Sequence, residues 1–184
     1  MKKIIFSLLI CTSTFIAQAQ ETIKTSNSDT PKNEVKLNFI NAVVYGSVEI
    51  GYEYFIDDNQ SVGFEAFIND VYNMSVGGKT KNYDTNSFQL TYNYYIGDKN
   101  GHANSGLVVF PLLKYRVGDY NKSETEVINM NSFTFGAGAG YKWNMNDNFV
   151  FGPYVTVGRN FSSEVADEFS AFEYNAGFTL GYRF

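Results

Sequence analysis

Lys36, Glu53 and Glu65 are the residues of this 184-residue chain whose types and spacing could do chemistry. Each stands at a polar position of an alternating apolar/polar stretch, so each belongs to the non-apolar face of an extended strand. A short symmetric turn between the first two stretches would put Lys36 opposite Glu53. A turn centred on Asn59 would put Glu53 opposite Glu65. Two carboxylates that close repel unless they share a cation or a proton, so Lys36, Lys114 or Arg116 is expected to reach them. Such a row could act as a general acid/base pair or an ion path. A structural ion network filling a narrow barrel accounts for the same residues without any turnover, and it is the preferred reading. Glu49, Lys142, Glu173 and Arg183 share the polar face. Glu173 and Arg183 are about 30 Å apart along one strand and cannot pair with each other, so each needs a partner on strand one or seven.

Other candidates are weaker. His102, the single histidine, lies with Asp98 and Ser105 in DKNGHANS, whose composition is that of a solvated turn rather than a triad. Gly136, Gly138 and Gly140 alternate within a strand with no helix after them. They fail the context of a dinucleotide-binding loop and are read as small positions making room for Tyr154 or Phe110. The acidic residues Asp70, Asp84, Asp119, Glu124, Glu126, Glu164, Asp167 and Glu168 fall in predicted outer loops. None has calcium-loop spacing, so they are read as a solvated rim, and no metal site or cofactor is expected.

What must position these residues follows from the rest of the chain. Lys2 and Lys3, an apolar run from Ile4 to Ile16 and Ala17-Gln18-Ala19 form a secretory signal, with cleavage expected after Ala19. No later run is long and apolar enough for a membrane helix, so any span must be β. Cys11, the only cysteine, lies in the signal; cleavage leaves no disulfide or thiolate site. Cleavage also leaves 12 basic against 19 acidic residues, a balance of −7 that disfavours nucleic acid. Residues 20–33 are polar and aperiodic, a flexible periplasmic lead. Seventeen Phe, 14 Tyr and 16 Gly against 3 Pro are strand and turn chemistry.

From residue 34 the alternation is repeated eight times, over 34–43, 46–56, 61–69, 87–97, 106–117, 132–143, 149–160 and 172–184, joined alternately by tight turns and longer loops. Pro111 and Pro153 fall inside strands and predict local bulges. The pattern predicts an all-β, eight-stranded, antiparallel up-and-down transmembrane β-barrel occupying 34–184 as one domain.

Alternation alone also fits a soluble barrel with the faces exchanged. Three features favour the membrane. The polar face is rich in Gly, Thr and Asn rather than densely charged, as suits a narrow lumen. Tyr52, Tyr54, Tyr92, Tyr94, Tyr141, Trp143, Tyr182 and Phe184 all fall toward the ends of strands running in one direction, which makes them one interfacial girdle. The last strand, FEYNAGFTLGYRF, is aromatic at alternate positions and ends in Phe184.

That closing strand resembles the C-terminal strand of Gram-negative outer-membrane barrels, and the chain from Glu34 resembles the small eight-stranded barrels of the OmpA and OmpX type. The resemblance implies outer-membrane lipid and lipopolysaccharide as surroundings, the barrel-insertion machinery as reader of the last strand, and an unknown surface partner. No peptidoglycan-binding domain is recognised. Enzymes on such barrels, the lipid A deacylases, acyltransferases and omptin proteases, use a histidine near the outer rim, and His102 is predicted at the other end. The expected role is therefore structural or surface interaction with a plugged lumen. A narrow pore for small solutes is the alternative, and a lipid-modifying enzyme the weaker one.

Overall fold

The computed structural model describes residues 31–74, 82–97, 103–145 and 148–184. The signal, Cys11, the lead up to Thr30, Asp98 and His102 lie outside the described residues. Strands β1 (Asn33–Asn38), β2 (Val48–Phe55), β3 (Gln60–Ile68), β4 (Tyr83–Ile96) and β5 (Gly106–Asn121) each pair antiparallel with the next. A short β6 (Val127–Asn129) extends the end of β5. β7 (Ser132–Asn144), β8 (Phe149–Asn160) and β9 (Phe172–Arg183) continue from β5, and β9 pairs with β1. The wall thus closes as an eight-stranded antiparallel β-barrel.

The first strand differs from expectation. It ends at Asn38, and residues predicted to continue it form helix α1 (Phe39–Tyr45). Asn38 caps the helix by accepting from the Asn41 amide at 3.2 Å, and Gly46 ends it with φ +65°, a left-handed backbone that glycine adopts without strain. β1 consequently meets β9 only up to Asn38↔Thr179. Beyond that point Asn73, in a 3₁₀ turn (Tyr72–Met74), supplies the missing strand partner: its Nδ2 donates to the Phe172 carbonyl at 3.1 Å and its Oδ1 accepts from the Tyr174 amide at 2.9 Å. A second helix, α2 (Ser163–Glu168), occupies the predicted acidic loop.

The prolines produce no bulge. Pairing lapses between Thr91↔Leu112 and Tyr94↔Val109, and between Gly140↔Tyr154 and Trp143↔Phe151, then resumes in the same register. Pro111 and Pro153 both face outward, so the ladder omits their missing N–H without inserting a residue.

The faces alternate as predicted. Outward positions form an apolar belt, for example Leu107, Val109, Leu113 and Tyr115 on β5, which ends at Asp119; β4 ends it at Asp84 and β8 at Arg159. Ten residue steps at about 3.3 Å, tilted by about 40°, give the belt a height of about 25 Å. The eight girdle aromatics all face outward near the end carrying the tight turns.

Candidate functional site

Inward positions carry the charges, and they fall into two groups. Near the tight turns, Lys142 Nζ lies 2.9 Å from Glu34 and 3.1 Å from Glu53, and donates to Tyr95 Oη at 2.8 Å. Tyr95 in turn donates to Glu53, as does Ser61 at 2.5 Å. Lys36 Nζ is 2.5 Å from Glu65 and 3.6 Å from Glu53, and Gln89 donates to Glu65 at 2.5 Å. Arg183 reaches Glu34 at 3.0 Å and the carbonyls of Ala103 and Asn104 at 3.1 and 2.6 Å.

Near the long loops a second group crosses the lumen. Lys114 Nζ is 2.7 Å from Asp70 and 2.8 Å from Glu173. Arg116 donates to Asp70 at 2.7 and 3.0 Å and to Glu173 at 2.5 and 3.2 Å, and is 1% exposed. Ser87 donates to Asp70, and Thr134 to Glu173 at 3.1 Å. Tyr72 lies over the Arg116 guanidinium at 5.0 Å and joins Tyr83, Tyr120, Met130 and Val165 in a small apolar core above it.

Glu49 belongs to neither group. It accepts from Asn38 at 2.9 Å, from Tyr154 at 2.7 Å and from Asn41 at 3.4 Å, all neutral donors.

All nine predicted lumen charges therefore point inward, but their pairing differs from expectation. Lys36 is opposite Gly51 and Glu65 is also opposite Gly51, while Glu53 faces Glu34 and Gly63. The turn between β2 and β3 centres on Asp58 rather than Asn59, because the Asp57 carboxylate accepts from the Asn59 amide and the Gln60 side chain at 2.8 and 2.9 Å. Lys36 still reaches both glutamates by lying across the side-chain-free Gly51. Lys114 and Arg116 do not approach Glu53 or Glu65. Glu173 finds its partners on β5, across the lumen rather than on an adjacent strand, whereas Arg183 does find β1, through Glu34.

Sequence reasoning missed Glu34 and Asp70 as network members. Glu34 is in phase with Lys36 and could have been found by extending the alternation back one step. Asp70 was assigned to the rim; Asn69, with φ +57°, breaks the alternation and turns Asp70 inward. Ser105 is buried and donates to the Ala103 carbonyl at 3.2 Å.

Between the charges, Phe55, Tyr95, Val108 and Phe110 fill the bore, with Phe110 against Gly138. A cavity of about 50 Å³ remains, lined by Lys36, Glu65, Lys142, Tyr154 and Thr179 among others. It has room for a few water molecules.

A closed eight-stranded antiparallel barrel, apolar outside and ionic inside, has the architecture of the OmpA- and OmpX-type barrels. Among solved structures the chain is similar to the N-terminal β-barrel domain of Pseudomonas aeruginosa OprF, with TM-score 0.51 and 16% identity, over 83% of this chain and 96% of that one. At that identity the likeness concerns the fold. A second similar structure is the Yersinia pestis outer membrane protein Ail in a phospholipid nanodisc, with TM-score 0.43 and 15% identity, over 84% of this chain and 99% of that one. No family model and no curated protein matches the chain.

Proposed function

We propose that the protein is an outer-membrane barrel with a sealed lumen, serving a structural or surface-interaction role rather than transport or catalysis. The observation that carries this reading is the filled bore: two ion networks cross it, and the cavity between them is about 50 Å³. Membrane residence is supported by the inverted polarity. A belt of Val, Leu, Ile and aromatic side chains faces outward while lysines, arginines and carboxylates are buried, and only a lipid surrounding makes that arrangement favourable. The aromatic girdle then marks the periplasmic boundary and the long loops face the cell exterior, where they meet lipopolysaccharide or a protein partner. The signal directs export, and the aromatic closing strand engages the insertion machinery.

Single-channel recording in planar bilayers tests the sealed lumen. The expected trace is flat, also in a Glu53→Gln, Glu65→Gln double variant whose heat stability is lowered; steady conductance steps would overturn the reading in favour of a narrow pore. Fractionation with heat-modifiable gel migration tests the location. An unchanged lipid A mass profile on removing the gene is expected for a non-enzymatic role.

A further inference from the structure

Arg159 is a lone cation on the outward face of the barrel. It projects from β8 where the strand leaves the apolar belt, paired in register with Phe135 on β7 and Phe172 on β9. Phe161, two residues further on, has its ring centre 5.8 Å from the Arg159 guanidinium, and all three phenylalanines are exposed. Lys122, also at the loop end, is held by Glu126 and Glu168. Arg159 makes no ion pair among the described residues. The carboxylates outside them belong to the lead or to the tight turns at the opposite end, and the loop sequence 75–81, SVGGKTK, contains none. An arginine in hydrocarbon is costly, so at the edge of the belt its side chain extends to the headgroups, where an anion meets it.

A second observation lies one strand step above. An open groove of about 410 Å³ is bounded on the belt side by Tyr115, Phe133 and Phe161, and on the loop side by Asn129, Asn131, Ser162, Ser163 and Glu164. The Tyr115 and Phe133 rings are 4.5 Å apart, and the Phe161 amide donates to the Phe133 carbonyl at 2.9 Å, so the aromatic floor is continuous with the lipid-facing belt. Asn129 Oδ1 accepts from the Asn131 amide and Asn131 Oδ1 from the Gly118 amide, both at 2.9 Å. Each oxygen is thus held by the backbone, and each NH2 remains as a donor on the rim. Glu164 accepts from hydroxyls but repels a phosphate, which assigns any phosphate to the Arg159 side. An aromatic floor, a rim of donors and a cation at its foot suit an anionic amphiphile with a hydroxylated headgroup, and the volume is within the range of about 300–1,000 Å³ for small-ligand sites.

We propose that Arg159 and the groove of Tyr115, Phe133, Phe161, Asn129 and Asn131 hold one molecule of lipopolysaccharide by its phosphorylated lipid A end. The inference rests on the outward placement of the long loops proposed above. The guanidinium takes the phosphate, whose oxygens match its fork of donors. A sugar ring lies on the aromatic floor with its hydroxyls toward the asparagines and Glu164, and the acyl chains run down the wall past Phe135 and Val157, which face lipid. A glycerophospholipid brings a phosphate and chains but no sugar ring for the groove, so the occupant is the glycolipid.

The test uses the mature barrel folded in neutral detergent and titrated with purified lipid A, bound lipid being counted by native mass spectrometry. One lipid A per barrel is expected, bound more tightly than phosphatidylglycerol. Arg159→Gln and removal of the lipid A phosphates should each weaken binding by about tenfold, and the two together no more than either alone, as for one shared contact. Phe161→Ala, at an exposed position, should weaken binding of both forms of the lipid alike. Undiminished binding by Arg159→Gln, additive losses, or equal affinity for phosphatidylglycerol would overturn the site. Should the variants fail to fold, the dephosphorylated lipid on the native chain decides: weaker binding supports the site, and equal binding rejects it. Sidedness is read separately, from labelling of a Glu124→Cys barrel by an impermeant maleimide in intact cells. Labelling without bound lipid A rejects the groove alone, whereas absence of labelling overturns the orientation and the site with it.

Discussion

The two ion networks do the same job with different tolerance for damage. At the turn end the charges are cross-held: Lys142 has two carboxylates and a phenol, and Arg183 has Glu34 and two backbone carbonyls. At the loop end two carboxylates depend on two cations, under an apolar core that keeps water away from Arg116. Redundant partners make a network tolerant, whereas a dry, minimal one concentrates the loss in a single residue.

Breaking the loop-end group should therefore cost most. Arg116→Met keeps the bulk of the side chain but leaves Asp70 and Glu173 with one ammonium between them. The expected loss is about 3–5 kcal/mol in urea unfolding in lipid vesicles. Glu34→Gln at the turn end leaves Lys142 with Glu53 and Arg183 with its carbonyls, so the loss should be smaller, about 2 kcal/mol. Equal losses would show that redundancy does not matter here.

Gly51→Ala sharpens the comparison within the turn-end group. A methyl at position 51 would come within 2.7 Å of the Lys36 stem, whose flexible far end can give way. The expected cost is about 1 kcal/mol. Lys36 should lose contact with Glu65 before it loses Glu53, which a crystal structure of the variant would reveal.

The two networks also differed in how far they could be read from the chain. Alternation assigns every strand residue to a face, so Lys36, Glu53, Glu65, Lys114 and Arg116 are legible as lumen residues once the period is recognised. Pairing is less legible, because it depends on where a turn is centred. The Asp57 side chain moves the β2–β3 centre by one residue, and that slides every partner by two. The loop-end group is less legible still. Asp70 follows Asn69, whose left-handed backbone ends the period, and the partner of Glu173 is fixed by closure across the bore rather than by any local pattern. Helix α1 was hidden because its Val and Ile residues read as strand while the Asn38 and Gly46 caps decide otherwise.

The smallest expected effect probes the apolar core over Arg116. Tyr72 is buried and donates to the Ser170 carbonyl at 2.7 Å, so Tyr72→Phe should cost about 1 kcal/mol at neutral pH. Tyr72 lies in the 3₁₀ turn, outside the wall strands, and burial, reinforced by the Glu173 carboxylate, holds its phenol well above the usual tyrosine range. The sign follows from linkage. The unfolded chain releases this proton near pH 10, the folded chain only at higher pH, so folding is favoured while the phenol is protonated in both states and weakens as pH rises past about 10. Native barrel stability should decline above that pH, and Tyr72→Phe should remove part of the decline. A variant whose alkaline decline equals that of the native chain would mean that Tyr72 reaches water, and that the loop-end network is no drier than the turn-end one.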